Sequence, residues 1–356
     1  MAIPEVFSTK SLSCKKRIFE IAARDGNLEV LQWLRRFCDE DPDFCSQKSC
    51  DKVMCQSAAE GGYLDVLMWA QSEGCSWDAG TCSGAASGGH LNILKWAREQ
   101  DCPWDEGTCN FAAAGGHLHV LQWAQSQACP WNSGTCSNAV YGGDLELLKW
   151  ARDKGCPWDV HTCAFAAERG HLTLLKWLRS QGCPWNEKTC SQAAYGGHLE
   201  TLKWARQEGC PWDSETCVYA AIGGHWDVLI WAVSQGCPLN KNISQYAAEA
   251  GNLDVLKWLV SQDCILNKHT CSVAASQGHL DVLMWLRGEG CPWDEQTCAS
   301  AARNGHLDVL KWAREQGCPW DERTCSRAAA GGHFDVLKWA REQACPWDEH
   351  TCAFAA

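Results

Sequence analysis

The sequence repeats itself with a period of 27 residues over most of its length. Each copy is marked by a glycine that precedes a segment such as HLDVL. Eleven such glycines follow one another at this spacing: Gly62, Gly89, Gly116, Gly143, Gly170, Gly197, Gly224, Gly251, Gly278, Gly305 and Gly332. A twelfth copy lies at Gly26, 36 residues before Gly62. A period of this length is typical of a solenoid, in which each repeat buries its apolar face against its neighbours.

Each repeat has the pattern of two short helices. After the glycine, apolar residues recur at helical spacing, as in Leu307, Val309, Leu310 and Trp312, which predicts one amphipathic helix. An Asp or Asn follows a short loop, as at Asp321, and its side chain is expected to cap the next helix. Neither helix is long enough to be stable alone in water, so the sequence predicts an all-α solenoid in which stacking supplies the stability.

The repeat unit resembles a shortened ankyrin repeat. The segment TCSRAAAGGHFDVLKWAREQAC, from Thr324 to Cys345, is similar to the ankyrin pattern of Thr, an Ala-Ala pair, Gly-His and a Val-Leu pair. The variety with CPWD in the loop is similar to ankyrin arrays of giant viruses, some algae and oomycetes. The resemblance implies an ankyrin-like helix-turn-helix solenoid whose loops are short, without the projecting β-hairpins of longer ankyrin units.

The repeats divide the chain into four parts. We expect a lead over residues 1–14, an N-terminal repeat over 15–38 and an insertion loop over 39–50. Residues 51–356 then hold eleven further repeats, with a truncated C-terminal helix. Because the last segment, TCAFAA, lacks the polar cap that terminal repeats normally carry, we expect either a truncated gene product or end-to-end self-association through this end.

Composition narrows the class of partner and the compartment. The net charge is −12, which repels phosphate backbones and anionic lipid, so neither nucleic acid nor a membrane is expected as a partner. The start, MAIPEVFSTK, has no apolar core of signal-peptide length. We therefore expect a cytoplasmic protein, with the nucleus as the other location, whose cysteines remain thiols.

The 26 Cys and 22 Trp have two kinds of interpretation. The Cys positions also accept Phe19 and Ser244, and the loop Trp position accepts Leu239, which favours buried packing groups over metal ligands. A metal- or redox-responsive protein is the alternative. The candidate metal ligands are the cysteines around the insertion, although their spacings are loose for zinc: Cys38, Cys45, Cys50 and Cys55.

Partner binding is expected where the repeats differ. The positions two and five residues before each repeat glycine vary most, and the resemblance implies that they line the concave face. Their side chains are the predicted binding residues: Phe111, Tyr141, Phe165, Glu168, Tyr195, Tyr219, Tyr246, Glu249, Arg303 and Arg327. Six successive repeats each place one aromatic ring there, which predicts a groove for a protein or peptide. Rings that lean onto neighbouring helices are the alternative.

No pattern in the sequence indicates an active site. There is no phosphate-binding loop and no Ser/His/Asp arrangement, so we expect a protein that is not an enzyme and uses no cofactor. The function predicted is a non-catalytic protein–protein interaction scaffold. A substrate-recruiting adaptor for a degradation or signalling complex is the alternative, and it would require a docking module outside the repeats.

Overall fold

The computed structural model describes residues 12–40, 47–347 and 351. These residues form 24 helices and no strand, which confirms the predicted all-α, helix-turn-helix repeat fold. The chain divides into two compact units, Met1–Trp185 and Asn186–Ala356. Within each unit the odd-numbered helix of every pair is called the first helix and the even-numbered helix the second.

Unit 1 contains twelve helices. They are α1 (Leu12–Arg24), α2 (Leu28–Glu40), α3 (Gln47–Gly61), α4 (Leu64–Ser72), α5 (Ala79–Ser87), α6 (Leu91–Glu99), α7 (Glu106–Ala114), α8 (Leu118–Ser126), α9 (Ser133–Tyr141), α10 (Leu145–Asp153), α11 (Val160–Glu168) and α12 (Leu172–Ser180). Helix α1 begins within residues 1–14, which were expected to form a lead. Helices α2 and α3 reach into the two ends of residues 39–50, which were expected to form an insertion loop. The division of the chain into these parts stays a prediction.

Unit 2 contains the other twelve helices. They are α13 (Glu187–Tyr195), α14 (Leu199–Gln207), α15 (Ser214–Ile222), α16 (Trp226–Ser234), α17 (Ser244–Glu249), α18 (Leu253–Ser261), α19 (Lys268–Ser276), α20 (Leu280–Gly288), α21 (Glu295–Arg303), α22 (Leu307–Glu315), α23 (Glu322–Ala330) and α24 (Phe334–Glu342). The end predicted to be uncapped, residues 352–356, lies outside the described residues. None of the described helices combines the length and apolar composition needed to cross a bilayer.

The predicted Asp/Asn caps begin nearly all of the first helices that follow a loop of this kind. Asp78 accepts a hydrogen bond from the Gly80 amide at 3.0 Å, and Asn186 accepts one from the Lys188 amide at 3.1 Å. A capping side chain satisfies a helix amide that has no partner within the helix. The exception is the shortened α17, where Ile243 precedes the helix without a side-chain cap.

Four of the Gly-His histidines contact the neighbouring repeat through their rings instead of capping their own helix. His90 makes no side-chain cap, and its Nε2 lies 3.1 Å from the Glu60 carbonyl oxygen at the end of the preceding first helix. His306 contacts the Ser276 carbonyl oxygen in the same way, at 3.1 Å. Where Asp144 replaces His, its carboxylate does cap the helix by accepting from the Leu147 amide at 2.9 Å.

Alanines pack between neighbouring first helices, whereas tryptophans pack between neighbouring second helices. Ala85 and Ala86 of α5 are fully buried, and a Cβ on Gly84 would lie 2.3 Å from the Gln56 carbonyl oxygen of α3. First helices therefore approach each other closely. Second helices are linked through tryptophans: the loop Trp104 meets Trp123 of α8 edge-on, with ring centroids 5.9 Å apart. Bulky indoles on one side and alanines on the other leave space between successive second helices.

Candidate binding surface on the first helices

In unit 1 the predicted aromatic positions bring three rings to the first-helix face. Phe111 on α7 is 48% exposed and Tyr141 on α9 is 43% exposed, whereas Phe165 on α11 is half-buried. The Tyr141 and Phe165 rings meet edge-on with centroids 6.2 Å apart. The rings thus lean on one another across helices, as the alternative interpretation expected, and two of the three still present large apolar areas to solvent.

Charged groups border these unit 1 rings. The Arg169 guanidinium lies 4.5 Å from the centroid of the Tyr141 ring, a cation–π contact, and the His161 ring lies 6.4 Å from that of Phe165. Glu168, the last residue of α11, is half-buried. Arg169 and His161 are not among the predicted binding residues, because they stand outside the two variable positions and only the fold brings them to the rings.

In unit 2 the face begins with tyrosines. Tyr195 on α13 is 42% exposed and Ile222 on α15 is 47% exposed. The Tyr195 and Tyr219 rings meet edge-on at 6.0 Å, which repeats the arrangement found in unit 1. Tyr246 on α17 is half-buried and Glu249 at the end of that helix is exposed.

The same face carries arginines on the last first helices of unit 2. Arg303 on α21 is exposed and Arg327 on α23 is half-buried. Burial, together with the nearby guanidinium groups of Arg303 and Arg323, lowers the pKa of Arg327. Arg323 itself is paired with Asp321, with Nη2 and Oδ2 2.7 Å apart. The first-helix face of unit 2 therefore changes from aromatic to cationic along the unit.

The cysteine positions considered as metal ligands do not form a ligand cluster in the described part of the chain. Cys50 is disulfide-bonded, so its sulfur is not a free thiolate. Cys55 is a free, buried thiol, and burial raises its pKa. The Cys38 and Cys45 side chains lie outside those described. No group of three or more His, Cys, Asp or Glu suited to a metal ion occurs in the described ranges.

Comparisons with known proteins find likeness in structure only. No protein-family model matches the chain, and no curated protein does. The chain is similar to the human ASB11 ankyrin repeat domain, with 18% identity over 44% of this chain and 84% of that one and a TM-score of 0.38.

Two further similar structures are of a pentatricopeptide repeat protein. For PPR10 from maize the identity is 12%, over 99% of this chain and 61% of that one, with a TM-score of 0.43. For PPR10 in complex with an 18-nucleotide psaJ RNA element the identity is 15%, over 96% of this chain and 60% of that one, with a TM-score of 0.44. The chain thus spans about three fifths of the length of the PPR10 chains. Solved helical repeat proteins, an ankyrin repeat domain among them, are among the structures that it resembles.

Proposed function

We propose that this protein is a non-catalytic scaffold that binds a protein or peptide partner along the face of its first helices. The observation that carries the proposal is the pair Tyr195 and Tyr219, which are in edge contact at 6.0 Å while Tyr195 remains 42% exposed. Exposed aromatic side chains held by neighbours lose little conformational freedom on binding, and such residues dominate the affinity of protein interfaces.

The arrangement of variable and repeated residues supports the same function. Residues that recur in nearly every repeat, such as Cys82 and Ala85, are buried in the stack, so their role is to pack the repeats together. The residues that differ between repeats lie on the first-helix face, which the ankyrin resemblance implies is concave. A partner can therefore be selected by the sequence of rings and charges without a change in the fold.

Charge favours a protein partner over a nucleic acid. The chain carries −12, and a surface with excess acid repels a phosphate backbone. We also place the protein in the cytoplasm or nucleus. Of the described cysteines, 21 are free thiols, the form expected in a reducing compartment, and Cys50 is disulfide-bonded.

The test is affinity capture from the native cells with wild type and the double variant Tyr195→Ala/Tyr219→Ala. Ile230→Ala is the matched control, since Ile230 is 40% exposed on the second helix α16. We expect the double variant to lose a partner that the wild type and the control retain, with all three proteins equally folded by circular dichroism. Unchanged capture together with a lower melting midpoint would assign the rings to packing. Recovery of RNA, abolished by ribonuclease, would also contradict the proposal.

A further inference from the structure

Cavities lie between successive second helices, on the side of the stack where the indoles hold the helices apart. One, of about 360 Å³, lies between α14 and α16 and is lined by Lys203, Arg206, Gln207, Trp212, Trp231 and Gln235. The same six repeat positions line two others of the same volume, one running from Lys95 to Gln127 in unit 1 and one from Lys311 to Gln343 in unit 2. A feature built three times from corresponding residues is a property of the repeat.

The guanidinium of Arg206 is fixed in place at the wall of its cavity. It lies 4.1 Å from the centroid of the Trp212 ring, and its Nη1 donates a hydrogen bond to the Cys210 carbonyl oxygen. Trp231 meets the Trp212 ring edge-on, with ring centroids 6.0 Å apart. A guanidinium held in this way has already lost its rotamer freedom, so binding an anion there costs little further entropy.

Arg206 has no carboxylate partner in the described part of the chain, although the protein as a whole is strongly acidic. Lys203 is already paired with Glu200, with Nζ and Oε1 2.7 Å apart, so Arg206 supplies the uncompensated positive charge of the cavity. The corresponding cavities carry an acid, Glu99 or Glu315, where this one has Gln207. The cavity between α14 and α16 is therefore the most favourable of the three for an anion.

We propose that this cavity binds the carboxylate side chain of an acidic peptide segment in a partner protein. The carboxylate would accept hydrogen bonds from the guanidinium N–H groups that Cys210 does not use, and the methylene groups of the side chain would rest against Trp212 and Trp231. A cavity of about 360 Å³ accommodates one side chain. A long polyanion such as RNA would meet the excess negative charge of the rest of the surface.

This surface is separate from the first-helix face, and its test does not depend on the tyrosines. Another repeat shows which substitution to use. Gln125 occupies the repeat position that corresponds to Arg206, and its Nε2 donates a hydrogen bond to the Cys129 carbonyl oxygen at 2.9 Å. Arg206→Gln is thus expected to keep the loop hydrogen bond while removing the charge. Arg206→Val is a second variant, because Val233 and Val260 occupy the same position in other repeats.

The experiment uses the full chain and a hexaglutamate peptide, coupled at low salt with a carbodiimide that joins a carboxylate to a lysine amine. Mass spectrometry then maps the modified lysines. We expect an adduct at Lys203 in the wild type, reduced about tenfold in either Arg206 variant, because each variant lacks the charge-assisted hydrogen bonds of the guanidinium. Adducts at Lys95 and Lys311 in the same sample are internal controls and are expected to be unchanged.

Two results would overturn the proposal. One is a Lys203 adduct that is as abundant in both Arg206 variants as in the wild type, which would mean that the guanidinium only supports the loop. The other is loss of the wild-type adduct when an oligouridylate competes at equal charge concentration but not when hexaglutamine does, which would show that the site prefers phosphate. Loss of capture by the Tyr195/Tyr219 variant has no bearing on either result.

Discussion

The sulfur atoms of Cys271 and Cys291 lie 3.2 Å apart although 20 residues separate them in sequence. Cys271 belongs to the first helix α19 and Cys291 to the loop that follows α20. In four other repeats the first-helix Sγ lies 3.9–4.0 Å from the carbonyl oxygen of the corresponding loop cysteine: Cys82 to Cys102, Cys136 to Cys156, Cys163 to Cys183 and Cys190 to Cys210. The recurring cysteines thus meet as buried pairs that fasten the loop to its own helix pair.

A thiol-specific oxidant should convert the Cys271–Cys291 contact into a disulfide. Diamide takes up the two thiol hydrogens as the S–S bond forms, and the sulfurs already touch. Closing a loop of this length should raise the free energy of unfolding by about 3 kcal/mol. The measurement is peptide mapping of the folded, diamide-treated protein, followed by urea unfolding.

Cys264 is the built-in control for this oxidation. Ser244 stands at the position of its partner and donates its hydroxyl to the Ile265 carbonyl oxygen at 2.7 Å, so Cys264 should remain a free thiol. If Cys264 were oxidised as fast as the pair, or if the pair stayed reduced, contact between the thiols would not be what directs the reaction.

Stability should decrease at alkaline pH because of the same burial. Burial raises the pKa of Cys55 and Cys264 above the ordinary 9.0, and burial together with Asp51 raises that of Cys75 to about 12. A group whose pKa is raised on folding stabilises the native state below its unfolded pKa and loses that contribution as pH rises towards its folded pKa. We therefore expect the urea midpoint to be constant up to about pH 8 and to fall above about pH 9.

The slope of that decrease distinguishes thiols from other groups. Each buried thiol that ionises only in the unfolded chain removes about 1.4 kcal/mol of unfolding free energy per pH unit. Cys55→Ala should make the curve measurably shallower, whereas removing an exposed lysine such as Lys154 should not. Identical curves for Cys55→Ala and the wild type would contradict the assignment.

The parts of the fold that depend on local patterns were predictable from the sequence. The cap at Asp294, which accepts from the Gln296 amide at 3.1 Å, follows from a residue type at a fixed place before an apolar segment. The partner of each cysteine did not follow. The two recurring cysteines that lie nearest in sequence, such as Cys318 and Cys325, are seven residues apart, whereas the pair Cys271–Cys291 joins a first helix to the loop after the second helix.

Of the two candidate binding sites, only the one on the first helices could be predicted from the sequence. The variable aromatic positions could be identified by comparing repeats. An arginine stacks on the loop tryptophan in seven repeats, as Arg206 does on Trp212. It was overlooked, since a recurring charge on a helix looks like ordinary solvated surface. The arginine recurs together with the loop tryptophan, and this could have been noticed in the sequence. The contact between the two side chains and the cavity beside them depend on how the second helices pack in the fold.

Two threonines at the same repeat position should respond in opposite directions to valine. The Thr189 hydroxyl is buried without a hydrogen-bond partner, so Thr189→Val removes an unsatisfied polar group of similar shape and should be neutral or stabilising by up to about 1 kcal/mol. The Thr270 hydroxyl accepts from the Asn267 amide at 3.3 Å, so Thr270→Val should destabilise by about 1 kcal/mol. Urea unfolding of both variants is the measurement, and destabilisation by both would indicate that Thr189 has a polar partner.

Ala128 should be a point of removable backbone strain. It ends α8 with a φ of +60°, whereas most repeats have glycine there, as at Gly155 with a φ of +83°. This left-handed conformation costs a residue with a Cβ roughly 1–2 kcal/mol. Replacing it with glycine removes that cost, but about half of the gain is lost because glycine has more conformational freedom in the unfolded chain. Ala128→Gly should therefore stabilise the protein by about 1 kcal/mol, and Gly155→Ala should destabilise it by a similar amount. A Cβ added to Gly155 would have no atom within 4 Å, so the change in backbone strain would explain the expected effects. Thermal unfolding in which Ala128→Gly lowers the midpoint would show that the alanine methyl contributes packing that outweighs the strain.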